Sequence, residues 1–142
     1  MGTFLHVAAG EGACIATSDQ TMNVKAAAAA SDGEVTIIEA SIAPGSGPPL
    51  HVHAREHEAY YVLEGDFEFV CGDRAARGGP GTFVFAPRNV PHRYRNAGTA
   101  PGRILFTFTP GGIEKFFAEA AGEPVRERRT AIAAKYGIIM LA

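Results

Sequence analysis

The sequence predicts an all-β sandwich or barrel followed by two α-helices. Between residues 35 and 110, short β-rich runs recur at near-regular spacing with turn residues between them. The chain holds 17 glycines and 9 prolines, which supply those turns. Beyond residue 110 the apolar residues change to helical spacing.

The elements follow in order. Residues 1–34 are expected to add N-terminal strands, with His6 in Phe4-Leu5-His6-Val7 at a surface or strand edge. The run from Ala26 to Ala30 has helix propensity but is too short to stand alone. It reads as a surface connection with a helical turn, closed by Ser31-Asp32-Gly33. The run Val35 to Ile42 is β-rich and stops at Pro44-Gly45. Pro48-Pro49 forces extended chain into Leu50-His51-Val52-His53. Glu58 to Leu63, Phe67 to Cys71, Thr82 to Ala86 and Arg103 to Thr109 read as further strands. In Pro91 to Asn96, period two puts His92, Tyr94 and Asn96 on one face and Arg93 and Arg95 on the other. Thr109 with Pro110 reads as a helix start, and Ile113, Phe116, Phe117 and Ala120 repeat at helical spacing until Gly122. Pro124 opens a second helix through about Tyr136, ending at Gly137. Both helices are expected outside the barrel, with Phe116 and Phe117 as packing residues.

Composition narrows the function classes. A chain of 142 residues suits one domain, 1–142, with the barrel at about 35–110 and the helices at about 110–137. The hydrophobic share of 46% with 20% charged residues argues against disorder. Thirteen Lys and Arg against fifteen Asp and Glu leave a net charge of -2, so no basic field exists for nucleic acid or anionic membrane. Residues 1–10 show no signal-peptide pattern, and no apolar run reaches a membrane span. Cys14 and Cys71 form no metal-type pair and are expected to stay reduced in a cytoplasm.

The chemistry concentrates in one stretch. Three of the five histidines, His51, His53 and His57, fall within seven residues, and Glu58 follows. Residues i and i+2 of a strand share a face, so His51 and His53 can grip one ion. His92, on a later strand, could lie beside them. Three imidazoles and one carboxylate suit a divalent transition metal (Fe, Mn, Co, Ni, Cu or Zn) rather than Ca or Mg. Continuing the alternation from His53 would put His57, not Glu58, on the metal face, and a turn or bulge at Arg55-Glu56 would reset it. Periodicity alone leaves both open.

These residues resemble the cupin family. Its first motif, G-x5-H-x-H-x4-E-x6-G, is met by Gly45, His51, His53, Glu58 and Gly65. Its second, G-x5-P-x-G-x2-H-x3-N, is met by Gly81, Pro87, His92 and Asn96, with Asn89 in place of a glycine. Asparagine also tolerates the left-handed backbone of such a turn. The resemblance implies a double-stranded β-helix (a jelly-roll barrel) holding one metal on His51, His53, Glu58 and His92. The phrase from His51 to Gly65 and the tail from Thr109 to Phe117 are similar to small bacterial cupins of the quercetin 2,3-dioxygenase-like type. That implies a mononuclear dioxygenase acting on an aromatic or enol-type small molecule, with Glu58 as ligand and general base. The alternatives are a metal-dependent polyketide cyclase or isomerase, or a non-enzymatic binding barrel.

Parity then suggests the pocket. With Glu58 inward, Tyr60 faces in, and Phe69, Phe83, Phe85, Tyr94, Phe106 and Phe108 are expected to line an apolar cavity for a small-molecule substrate. Ala59, Tyr61 and Leu63 make the other face of that strand apolar too, so helices or a second subunit should cover it. A homodimer is the expected assembly.

Overall fold

The structure is a computed structural model that describes residues 1–141. Its strands are β1 (Ala13–Ala16), β2 (Gln20–Ala26), β3 (Thr36–Ile42), β4 (His51–His53), β5 (His57–Glu64) and β6 (Phe67–Cys71). They continue with β7 (Arg74–Gly78), β8 (Phe83–Ala86), β9 (His92–Asn96), β10 (Gly102–Thr109) and β11 (Ile138–Met140). Two helices, α1 (Glu114–Ala121) and α2 (Arg126–Lys135), lie between β10 and β11. A 3-10 turn at Ala28–Ser31 fills the alanine run. Residues 1–12 hold no strand, so the N-terminal strands reduce to β1 and β2.

Two sheets form, with strand orders β1-β2-β3-β10-β5-β8 and β11-β4-β9-β6-β7. Alternation decides what faces inward. Ile38, Ala40 and Ile42 of β3 are buried, as are Tyr60 and Val62 of β5 and Ile104, Phe106 and Phe108 of β10. Phe67, Phe69 and Tyr94 answer from the other sheet, and all join one core. Each large apolar side chain buried there contributes about 1.5–3 kcal/mol.

Two strands lie outside the expectations from the sequence. Arg74–Gly78 is mostly exposed and carries no apolar face, yet it pairs along its whole length with β6 across the Gly72-Asp73 turn. Backbone pairing, which is blind to side chains, makes it a strand. The three residues of β11 lie beyond α2 and pair with β4.

The first helix starts later than Thr109-Pro110 predicts. Thr109 ends β10 instead of capping a helix, and Gly112 has φ +123°, which no α-helix accommodates. α1 therefore begins at Glu114. The Glu114 carboxylate accepts hydrogen bonds from Thr36 Oγ1 at 2.6 Å and the Ala28 backbone N–H at 2.9 Å. Burial alone would raise its pKa, but these two bonds win and hold it below the usual value. They tie the helix to the start of β3. α2 stops as expected near Tyr136, before Gly137 at φ +77°. Neither helix is long and apolar enough to cross a membrane.

Candidate metal centre

The site is built across the two sheets. His51 and His53 alternate on β4, and His92 sits directly opposite His51 in the β4–β9 ladder. Glu58 reaches in from β5 of the facing sheet. The parity question is resolved by a bend at Ala54-Arg55, after which Glu56 and Glu58 are buried. His57 turns to the outer side, where its Nδ1 accepts the Arg88 backbone N–H at 3.0 Å. Asn89 takes the turn's left-handed conformation, φ +67°, and its N–H donates to the His53 carbonyl at 2.8 Å. The second motif is thereby tied to the first.

One ligand atom from each of His51, His53, Glu58 and His92 lies within 4.8 Å of the others. Glu58 Oε2 is 3.0 Å from His92 Nε2 and 3.2 Å from His53 Nε2. The outer ring nitrogens are held from behind. His51 Nδ1 is 2.8 Å from the Pro49 carbonyl, and His92 Nδ1 is 2.9 Å from the Val90 carbonyl. A carbonyl accepts only, so both Nδ1 atoms carry the proton and both Nε2 atoms are left for the cluster.

His53 differs. Its Nδ1 faces Glu56 Oε1 at 3.4 Å, within ion-pair distance but without hydrogen-bond alignment. A carboxylate behind a ligating imidazole raises its basicity more than a carbonyl does. Glu56→Gln should therefore weaken metal affinity about tenfold and Glu56→Leu about a hundredfold. A chelator-competition titration checks this, and equal affinities would leave Glu56 without a role.

The electrostatics fit a cation. Burial pulls the His51 pKa down to about 4, against the pull of Glu58. Burial also opposes charge on His53, but the adjacent Glu56 and Glu58 carboxylates outweigh it and lift that pKa to about 9. Glu58 is pushed up by burial and down further by His53 and His92, and ends well below the usual carboxylate range. A buried carboxylate this acidic demands a positive neighbour, which can be a proton on His53 or an ion. The donor set, three imidazoles and one carboxylate, fits a divalent transition metal.

A cavity of about 100 Å³ opens over the cluster. His51, His53 and Glu58 form its polar end, and Tyr94 and Phe106 are in its wall. Tyr60, Phe69 and Phe108 lie behind that wall in the aromatic core. The Tyr60 hydroxyl is buried with no hydrogen-bond partner among the described residues, and burial first, then the Glu58 charge, keeps it protonated.

Phe83 and Phe85 are not in the cavity. They are 62% and 50% exposed on the outer face of β8. The ladder gives the reason: inward Glu58 and Tyr60 pair with Ala86 and Val84, while Phe83 and Phe85 pair with outward Tyr61 and Ala59. Phe116 and Phe117 do more than pack. Both line the cavity, with Ile138 and Met140 of β11 and Gln20 and Met22 of β2. The Ile138-Ile139-Met140 run after Gly137 was a strand signal; nothing in the sequence pointed to Gln20 or Met22.

Residues 38–108 match the cupin domain family. The chain belongs to the cupin family. This cupin is 29% identical over 115 residues to quercetin 2,3-dioxygenase of Bacillus subtilis (strain 168). That match takes in 81% of this chain but only 34% of that enzyme. Among solved structures, KdgF from Halomonas sp. superposes with a TM-score of 0.70 at 18% identity, over 80% of this cupin and 99% of that chain. A predicted oxalate decarboxylase from Thermotoga maritima gives 0.68 at 20% identity, over 75% and 99%. At such identities the likeness is one of fold, the double-stranded β-helix.

Proposed function

We propose that this cupin is a mononuclear metal-dependent dioxygenase acting on an enolic or phenolic small molecule. The observation that carries the reading is a buried three-histidine, one-carboxylate cluster at the end of an otherwise apolar cavity. The match to a quercetin 2,3-dioxygenase supports it.

His51, His53 and His92 would hold the ion, with Glu58 as the fourth ligand. Such an ion supplies a Lewis-acidic centre at which a substrate oxygen and dioxygen can be brought together. The protein's own groups do the rest. Glu58 owes its low pKa to His53 and His92, since burial alone pushes it up. Rotated off those rings, it becomes a competent acceptor for the substrate's hydroxyl proton. Tyr94 stays protonated and holds the cavity wall by donating to Gln20, while Phe106, Phe116 and Phe117 exclude water.

The test is oxygen uptake by protein reconstituted with iron, manganese, cobalt, nickel or copper, using quercetin and a 1,3-diketone. Oxygen consumption matched to substrate loss, lowered about a hundredfold or more in Glu58→Gln, is the expected result. No uptake with any ion would sink the reading. The second reading, a metal-dependent cyclase or isomerase, would use the same cluster and turn over without oxygen.

The assembly remains a proposal. The exposed Tyr61, Phe83 and Phe85 offer a surface for a homodimer, and a light-scattering mass of one chain would count against it. A reducing compartment such as the cytoplasm suits the free Cys14 and Cys71.

A further inference from the structure

A cavity of about 100 Å³ is far below the 300 Å³ or more of an ordinary ligand pocket. Any substrate larger than a single small ring must extend out of it. The cavity adjoins a second one, and three residues line both. Gln20, Pro48 and Tyr94 wall the inner cavity and also a second, outer one of about 530 Å³. The two differ in chemistry. Beyond the cluster, the inner one is lined by Met22, Phe106, Phe116 and Phe117. The outer one carries Thr17, Ser18, Asp19, Ser46, Glu123 and Arg129.

Gln20 stands between the two in a fixed pose. Its backbone N–H donates to Thr17 Oγ1 at 3.2 Å, and its carbonyl accepts the Thr17 N–H at 2.9 Å. Its side-chain Oε1 accepts the Tyr94 hydroxyl at 3.1 Å. The amide Nε2 makes no hydrogen bond among the described residues, so two N–H donors are available at the junction.

We propose that the outer cavity is a second substrate subsite and that Gln20 is the residue that reads across the junction. The substrate class it selects is two-part: a compact enolic or phenolic head over the metal cluster, joined to a hydroxylated body in the outer cavity. Gln20 Nε2 donates to an oxygen at the joint between the two parts. This rests on the proposed head chemistry, so the experiment measures binding and not turnover.

The probes are hydroquinone, which is head alone, and arbutin, the same head carrying one glucose. Isothermal titration uses zinc-loaded protein under nitrogen, where no oxidation occurs. Arbutin is expected to bind about tenfold tighter than hydroquinone. Gln20→Leu should remove that advantage, bringing the ratio of the arbutin and hydroquinone affinities to about one, whatever the change in hydroquinone binding itself. Tyr94→Phe, which frees the Gln20 amide to rotate, should lose part of it. Arbutin binding no tighter than hydroquinone, or an advantage that survives in Gln20→Leu, overturns the proposal. The two readings fail separately: absent oxygen uptake with a retained arbutin preference sinks the dioxygenase alone.

Discussion

His92→Ala should strip this cupin of its metal, with affinity falling about a hundredfold or more. The side chain does two jobs from one buried position. Its Nδ1 is fixed by the Val90 carbonyl, and its Nε2 lies 3.0 Å from Glu58 Oε2. Removing it deletes one of four donors and leaves a buried carboxylate one partner short. The second effect should cost about 1–3 kcal/mol of stability in the metal-free protein. His57→Ala is the matched control. It lies in the same histidine cluster of the sequence, but its ring contacts Arg88 on the outer side. Its metal content should be unchanged. Elemental analysis of the two purified variants, with urea unfolding of each, checks both statements. Metal loss in His57→Ala and retention in His92→Ala would overturn the assigned ligand set.

Gly47→Ala is expected to be the most damaging single-methyl change near the site. A Cβ built on Gly47 collides with the Tyr94 carbonyl oxygen and comes within 3.0 Å of Arg95 Cα. Both are backbone atoms of β9, so neither can swing away as a flexible side chain would. The Ser46 carbonyl accepts the Asn96 N–H at 2.9 Å, which pins the same loop to the same strand. Relief of the clash must therefore break that bond or displace β9, at a cost of about 3 kcal/mol or more. The displacement would move Pro48 and Pro49, and with them the carbonyl that orients His51. Metal affinity should fall along with thermal stability. Gly45 provides the contrast. It has φ +76° but open space around its Cβ position, so Gly45→Ala should cost only about 1–2 kcal/mol of backbone strain. Thermal melts of the two variants rank them, and a milder Gly47→Ala would refute the close approach of this loop to β9.

Much of this molecule was legible in the sequence because β-structure writes its faces in period two. Alternation placed Tyr60, Phe69, Phe106 and Phe108 in the interior, and all four are buried there. It failed at Phe83 and Phe85, where the short β8 puts its small residues, Val84 and Ala86, toward the core. Size was a poor guide to facing because β8 is the last strand of its sheet, with one covered side. The helix start failed for a different reason. Thr109-Pro110 has the chemistry of a cap, but the residue already belonged to the β10 ladder, and ladder pairing outranks a local capping preference.

By itself the sequence determined an all-β barrel with two later helices and a cluster of histidines near one carboxylate, because those depend on local period and on turn residues, while the cupin architecture and its ligand set followed from the resemblance carried by the two motifs. The choice of Glu58 over His57 was left open by period and implied by the motif spacing, and the bend at Ala54-Arg55 is the structural step that resets the parity. The roles of Glu56, Gln20, Phe116 and Met140 were decided only in three dimensions. Gln20, Phe116 and Met140 come from the N-terminal hairpin, a helix and the last strand and meet at one cavity, and Glu56, from the β4–β5 bend, stands behind His53. Contacts between segments so far apart carry no signature in either segment alone.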